Sequence, residues 1–201
     1  FTILQRCFTL KINNISIGVL AGGKGTRMEN QDKGLVEIQG ITLVKNILNT
    51  ISPHTSNILI NANRNITLYE EYGYPVIQDI FEDFQGPLSG VYSMLNNIST
   101  EYLLTIPCDC PNFNWLLVQE MVKEIDLKHE VYVANNGVRS QPVFMLISKS
   151  KISSLKAFLS IGGRKIDKWY KENNYKYVYF DENVNYFENI NTLEQLNDYN
   201  K

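Results

Sequence analysis

Short apolar runs alternate with amphipathic stretches along the whole chain of 201 residues. Runs rich in apolar and β-branched residues, bounded by polar and turn-forming ones, predict strands at 15–20, 57–62, 75–78, 102–107, 131–135, 143–147 and 175–180, with a short piece near Phe187. Between them, apolar residues recur every third or fourth position. Leu43, Ile47, Leu48 and Ile51 make one such stripe and Leu88, Val91, Tyr92 and Leu95 another, and each predicts a helix. Further helices are predicted at 115–125, 152–159 and 164–172. A last one starts at Thr192, where Thr192 and Gln195 have the spacing of a capping box. Strands alternating with helices predict an α/β fold, a mostly parallel sheet with crossover helices. Asn136-Gly137 between two β-rich runs predicts a tight turn that brings an antiparallel strand into that sheet.

Composition narrows the class of protein. A chain of this length can bury roughly 70% of its unfolded surface in one domain, so its core needs neither disulfides nor structural metals. The net charge of −2 and an isoelectric point near 5.8 argue against nucleic-acid or membrane-surface partners, which require a sustained basic face. Any anion site must be local. The three cysteines, Cys7, Cys108 and Cys110, lack CxxC spacing, so no disulfide framework or zinc knuckle is indicated and a reducing cytoplasm fits. His54 and His129 have no ligand spacing and read as surface residues. No apolar run approaches the length of a membrane span. Residues 1–14, interrupted by Arg6 and Lys11 and without a small-residue cleavage site, read as an N-terminal extension.

The segment Leu20-Ala21-Gly22-Gly23-Lys24-Gly25-Thr26-Arg27-Met28, followed by Asp32-Lys33, carries the strongest chemical signal. It follows the first apolar strand, and its closely spaced glycines let successive backbone N–H groups turn toward one concavity. Arg27 and Lys33 add cations. Arg27 suits bidentate contacts to phosphate oxygens, whereas Lys33 acts as a point charge. A Walker motif fits from Gly18 to Lys24 but fails at Gly25, where a magnesium-binding hydroxyl is required. The dinucleotide fingerprint fails at Met28, where its third glycine belongs.

The pattern Leu-Ala-Gly-Gly-x-x-x-Arg-Met with Asp-Lys a few residues on resembles the signature of nucleotidyltransferases that join an NTP to a phosphorylated acceptor. Further motifs follow in order: Asn61-Ala62-Asn63-Arg64, Asp79, Gly86-Pro87-Leu88-Ser89-Gly90, Pro107-Cys108-Asp109, Gln141-Pro142 and Asn189-Ile190-Asn191-Thr192. Together they resemble the molybdenum cofactor guanylyltransferase family from about residue 15 to about residue 197. Two positions depart from that pattern: Glu29 replaces a glycine, and Cys110 stands where a small polar residue is usual. The resemblance implies a single nucleotidyltransferase domain at 15–201, built as a three-layer Rossmann-like sandwich with helices on both faces of the sheet.

Asp109 follows the run Tyr102 to Pro107 and so emerges at the carboxyl edge of the sheet, where open α/β sheets bind ligands. Strand alternation would put Cys108 and Cys110 on the opposite face. Asp109 is either a Mg²⁺ ligand or the cap of the helix that follows, and the glycine-rich loop favours the metal. Asn61 and Asp79, at the ends of two other strands, are either turn residues or, as the resemblance implies, part of the guanine and ribose pocket. Gly86 to Gly90 reads as a helix start that brings its N-terminus close to a nucleotide.

The resemblance thus implies nucleotide contacts at Leu20, Ala21, Gly22, Gly23, Gly25, Lys33, Asn61, Asp79 and Asp109, with Arg27, Lys33 and Asp109 catalytic and Asp109 holding Mg²⁺. It associates the segments holding Arg139, Gln141, Arg164, Lys165, Asn189 and Asn191 with the pterin acceptor or with the second half of the active site. Arg164-Lys165 after Gly162-Gly163 reads either as a second phosphate cradle or as a solvated helix start. The implied reaction is transfer of GMP from GTP to molybdopterin or Mo-molybdopterin with release of pyrophosphate, in the cytoplasm. Other cofactor-biosynthesis proteins and recipient molybdoenzymes are the partners it suggests. Two other readings stay open: a sibling transferase using CTP or another phosphorylated acceptor, and a GTP-binding regulatory module without chemistry.

Overall fold

A computed structural model describes residues 11–23, 32–81 and 86–199. Along the first half run β1 (Ile15–Leu20), a small ribbon of β2 (Glu37–Ile38) and β3 (Ile41–Thr42), α1 (Leu43–Ile51), β4 (Ile58–Asn61), α2 (Ile66–Glu70), β5 (Val76–Ile77) and α3 (Pro87–Asn97). The second half adds β6 (Tyr102–Pro107), α4 (Trp115–Lys123), β7 (Val131–Asn135), β8 (Ser140–Ser148), α5 (Ile152–Ser160), α6 (Ile166–Lys171), β9 (Tyr175–Tyr179) and α7 (Leu193–Tyr199). The main sheet has the order β5-β4-β1-β6-β8-β7-β9. Pairing is parallel except along both edges of β8, which is antiparallel to β6 and β7. The tight turn at Asn136-Gly137 makes that reversal, with Asn136 N–H donating to Arg139 O and Gly137 at a φ of 83°.

The strand order creates a switch point. From β1 the chain builds outward through β4 and β5, then crosses to the opposite side of β1 as β6. A crevice therefore opens beyond the carboxyl ends of β1 and its neighbours. Register sharpens this, since Leu20 lies opposite Asn61 on one side and Pro107 on the other. The residues that follow these three strand ends must share the crevice.

Burial on both faces explains why the central strands read as continuous apolar runs. On one face Ile15, Ile17 and Val19 pack with Val44, Ile47, Leu48 and Ile51 of α1 and Leu117, Val118, Met121 and Val122 of α4. On the other, Leu59, Leu103, Val133, Met145 and Ile147 pack with Leu88, Val91, Met94 and Leu95 of α3, Leu155 and Leu159 of α5 and Trp169 of α6. Each fully buried aliphatic side chain contributes roughly 1.5–3 kcal/mol, so these two layers hold the sheet edge in place. Ile12 also joins the first layer, and Lys11 Nζ donates to Ile125 O. Among the described residues, no helix is long and apolar enough to cross a membrane.

Some predicted elements differ. The segment around Phe187 is not a strand: Phe187 is a buried plug edge-on to Phe144 and Phe180, and turns flank it. The predicted strand at 75–78 pairs only through Val76 and Ile77, at the sheet margin. Helix α7 does carry the predicted capping box, with Gln195 N donating to Thr192 Oγ1 at 3.2 Å and Thr192 N donating to Gln195 Oε1 at 3.2 Å. That helix packs through Leu196 and the preceding Ile190 on Val36 and Leu43, which brings the C-terminal segment back to the crevice.

Candidate active site

Three chain segments meet at one ammonium group. Lys33, on a 3-10 turn at Lys33–Leu35, donates from Nζ to Asp109 Oδ2 at 2.9 Å and to Asn191 Oδ1 at 2.7 Å. The Lys33 and Asp109 side chains are 21% and 14% exposed, so the pair is shielded yet reachable. Asp109 lies just past the end of β6, and its backbone carbonyl accepts from Ile190 N at 2.9 Å. Cys110 Sγ donates to Asn189 Oδ1 at 2.9 Å and lies 3.9 Å from Asp109 Oδ1. Residues 109–110 and 189–191 are thus stitched together. Cys110 is not on the opposite face from Asp109: β6 ends at Pro107, and strand alternation ends with it. Nor does Asp109 cap the next helix, because Asn114 does so through Leu116 N.

At the end of β1, Cys108 N donates to Leu20 O and Ala21 N donates to Asn61 O, which carries Gly22 and Gly23 into the crevice. A Cβ on Gly22 would fall 2.9 Å from Asn63 Nδ2, whereas one on Gly23 would meet nothing within 4 Å among the described residues. Gly25 and Arg27 lie outside the described residues.

Asn61, only 3% exposed, spends its amide hydrogens on Ile77 O and Asp79 Oδ1, both at 2.9 Å. Its donor side is therefore committed inside the protein, and it orients the Asp79 carboxylate at the crevice. Asn63 completes the arrangement, accepting from Asp79 N at 2.8 Å and donating to Gly22 O at 3.4 Å. One short segment so links the glycine loop to the carboxylate. The sequence marked Asn63 only as part of its motif, with no signal that it would hold both.

Asp32 has a separate role. It is 8% exposed and faces away from Lys33's partners, accepting from Tyr69 Oη at 2.6 Å and Asn65 Nδ2 at 3.0 Å and pairing with Arg64 Nε at 3.5 Å. Tyr69 was not singled out by the sequence, which predicted no helix at Ile66–Glu70.

Beside Asn191 lies a cleft of about 540 Å³ whose walls include Arg139, Gln141, Glu188, Asn189, Asn191 and Tyr199. Its size suits one small organic substrate. Four of the six acceptor candidates are thus brought together. Arg164 and Lys165 do not line it: Arg164 Nη1 donates to Leu159 O and Gly163 O and closes the end of α5, and Lys165 precedes α6 as its N-cap residue. Cations at a helix carboxyl end satisfy its free carbonyls, which accounts for Arg164 without a ligand. His129 is partly exposed, and its Nδ1 lies 2.9 Å from Asp126 Oδ2.

Burial pushes both the Cys108 and Cys110 thiols up, and the Asp109 charge adds to the effect, so neither is a nucleophile at neutral pH. The hard donors suit a different task. Asp109 Oδ2 is taken by Lys33, while Oδ1 lies 3.9 Å from Cys110 Sγ, and a carboxylate oxygen of this kind is a hard donor that could hold Mg²⁺.

Comparison with known proteins identifies the family. Residues 17–175 match the MobA-like NTP transferase domain. The molybdenum cofactor guanylyltransferase of Shewanella putrefaciens is 44% identical over 183 residues, 90% of this chain and 94% of that protein. Its counterpart in Shewanella halifaxensis is 44% identical over 178 residues, 88% and 89% of the two chains. Among solved structures, molybdopterin-guanine dinucleotide biosynthesis protein A from Archaeoglobus fulgidus superposes with a TM-score of 0.79 at 21% identity, covering 92% of this chain and 96% of that one. That likeness shows the fold. The identity to the Shewanella enzymes shows more: the chain belongs to the molybdenum cofactor guanylyltransferase family of MobA-like NTP transferases.

Proposed function

We propose that this chain transfers GMP from GTP to molybdopterin and releases pyrophosphate, with Asp109 holding Mg²⁺. The observation that carries the proposal is the junction of Lys33, Asp109 and Asn191: Asn191 also lines the cleft, and Asp109 follows β6, the strand beside the one that leads into Gly22 and Gly23. The two substrates would meet there.

GTP would place its triphosphate along Gly22 and Gly23, whose amides sit at the end of β1, and its base toward Asp79. A carboxylate can accept from guanine N–H groups, and Asn61 and Asn63 fix its orientation before the nucleotide arrives. Molybdopterin would occupy the cleft with its terminal phosphate at the Asn191 end. That phosphate attacks the α-phosphorus in line, the α–β bridging bond breaks, and the electron pair leaves on pyrophosphate. A phosphate oxygen needs no general base at neutral pH, which matches a junction without histidine. Lys33 would exchange its Asp109 contact for triphosphate oxygens and meet the charge that develops on the leaving group. Bound at Asp109, Mg²⁺ supplies charge neutralisation at the phosphates. Arg27 is assigned the same task from the sequence motif.

The test is pyrophosphate release from each of the four NTPs with and without molybdopterin, with and without Mg²⁺. Release that needs GTP, molybdopterin and Mg²⁺ together is expected. Equal release from CTP would favour a sibling transferase, and GTP binding without release would favour a regulatory module.

A further inference from the structure

We infer that Tyr69 and Asp32 form a buried latch that positions Lys33 for transfer, so that the rate of the reaction depends on Tyr69, a fully buried residue. The inference rests on the role proposed above for Lys33.

Asp32 precedes Lys33 in the chain, and its carboxylate is fixed from both sides. Oδ1 receives the Tyr69 hydroxyl at 2.6 Å, and Oδ2 receives Asn65 Nδ2 at 3.0 Å and forms an ion pair with Arg64, Nε lying 3.5 Å away. Such a set leaves the Asp32 side chain little rotational freedom. Gly34, on the other side of Lys33, is equally constrained: a Cβ there would fall 2.3 Å from Tyr69 Oη. The hydroxyl occupies the space a side chain would need, so Tyr69 packs against both neighbours of Lys33 at once. Leu35 N donates to Asp32 O at 2.9 Å and closes the turn that presents Lys33 outward. Its ammonium then reaches Asp109 and Asn191 on the far side.

The anchor is itself well placed. Tyr69 is fully buried in the layer under α1, and burial raises its hydroxyl far above the usual value, so it remains a donor at any working pH. Asn65, in left-handed backbone at a φ of 51°, turns the chain between β4 and α2. The same stretch contains Asn61 and Asn63, which set Asp79 and the Gly22 carbonyl. Residues 61–69 therefore hold the base side of the site and the lysine in one rigid relation. A reaction that depends on a lysine meeting charge at the leaving group is sensitive to displacements of about 1 Å.

The test is Tyr69→Phe, which keeps the ring in the core and removes only the hydroxyl, with Asp32→Asn as a second variant should the first fail to fold. The expected result is a fall in kcat of roughly tenfold or more with the KM for GTP within about twofold of the unchanged protein. The loss should vanish when Tyr69→Phe is made in a Lys33→Ala background, because a latch that acts through Lys33 has nothing left to position. Ile47→Val, a trimming in the same core layer, should lower the melting temperature and leave kcat alone. An equal fold-loss in both lysine backgrounds overturns the latch. Crystal structures of the two variants give a readout independent of turnover: Lys33 Nζ should leave its 2.9 Å contact with Asp109, and retention of that contact in both overturns the inference. Absence of turnover by the unchanged protein would count against the proposed function and leave the structural readout decisive for the latch.

Discussion

Gly90 and Asn61 fill the same space: a Cβ on Gly90 would lie 2.1 Å from Asn61 Oδ1 and 3.0 Å from Leu20 Cδ2. Helix α3 can approach the sheet edge this closely only with glycine at that position, and the approach clamps Asn61 against Ile77 and Asp79. Gly90→Ala sets two effects against each other. Alanine favours a helix interior over glycine by up to ~1 kcal/mol, while displacing Asn61 breaks two buried hydrogen bonds worth ~0.5–1.5 kcal/mol each. The losses outweigh the gain, so the variant should be destabilised by on the order of 1 kcal/mol. Binding should not escape, because Asp79 loses its orienting partner. A roughly tenfold weaker affinity for GTP, about 1.4 kcal/mol, is expected by calorimetry. Unchanged affinity would show that Asp79 does not depend on Asn61.

Lys33→Ala separates ground-state binding from catalysis. If the ammonium meets charge that develops as pyrophosphate departs, kcat should fall on the order of 10²–10³-fold with a smaller change in GTP affinity. The competing outcome is a raised KM at unchanged kcat, which would make Lys33 a simple anchor for the triphosphate. Steady-state kinetics at saturating molybdopterin decides between them.

The central strands were legible because burial on both faces leaves a continuous apolar run that no helix period imitates. Asp109 was legible for a related reason, since a carboxylate directly after such a run must emerge at the strand's carboxyl edge. The segment around Phe187 defeated the same logic: an aromatic that plugs the core from a turn carries the same local pattern as a short strand. Space shared between distant residues is not written in any local pattern. Gly90 with Asn61, and Gly34 with Tyr69, become pairs only once α2 and α3 are docked on the sheet. Arg164 shows the converse, a cation whose sequence context suits a phosphate and whose actual partners are the carbonyls at the end of α5.

The raised thiols have a chemical and a thermodynamic consequence. Cys108 and Cys110 stay protonated in the fold, so iodoacetamide should label neither at pH 8 in the native protein and both after unfolding, as read by peptide mass mapping. Above pH ~8.5, the ordinary thiol value, the unfolded chain gives up protons that the native state keeps. Fewer protons bound by the unfolded state means stability falls as pH rises. The melting temperature should accordingly decline from about pH 8.5 upward, and further above pH ~10 where Tyr69 adds the same effect. Native-state labelling of Cys110 at the unfolded rate would show that the contact between 110 and 189 opens readily.

Asp109→Asn tests the centre of the proposed mechanism. The substitution is isosteric, Asp109 serves no helix as a cap, and the amide oxygen can still accept from Lys33, so the fold should survive with its melting temperature nearly unchanged. The backbone tie from Ile190 N to Asp109 O does not involve the side chain and should also persist. What is lost is the negative charge next to the phosphates. A neutral amide is a far weaker ligand for a hard divalent cation, and it no longer offers the ammonium a charged partner before the nucleotide arrives. Mg²⁺-dependent pyrophosphate release should drop by several orders of magnitude, while calorimetric binding of GTP without metal stays within a few fold. A variant that folds and retains near-normal turnover would remove Asp109 from the metal site and move the search for a metal ligand elsewhere in the crevice.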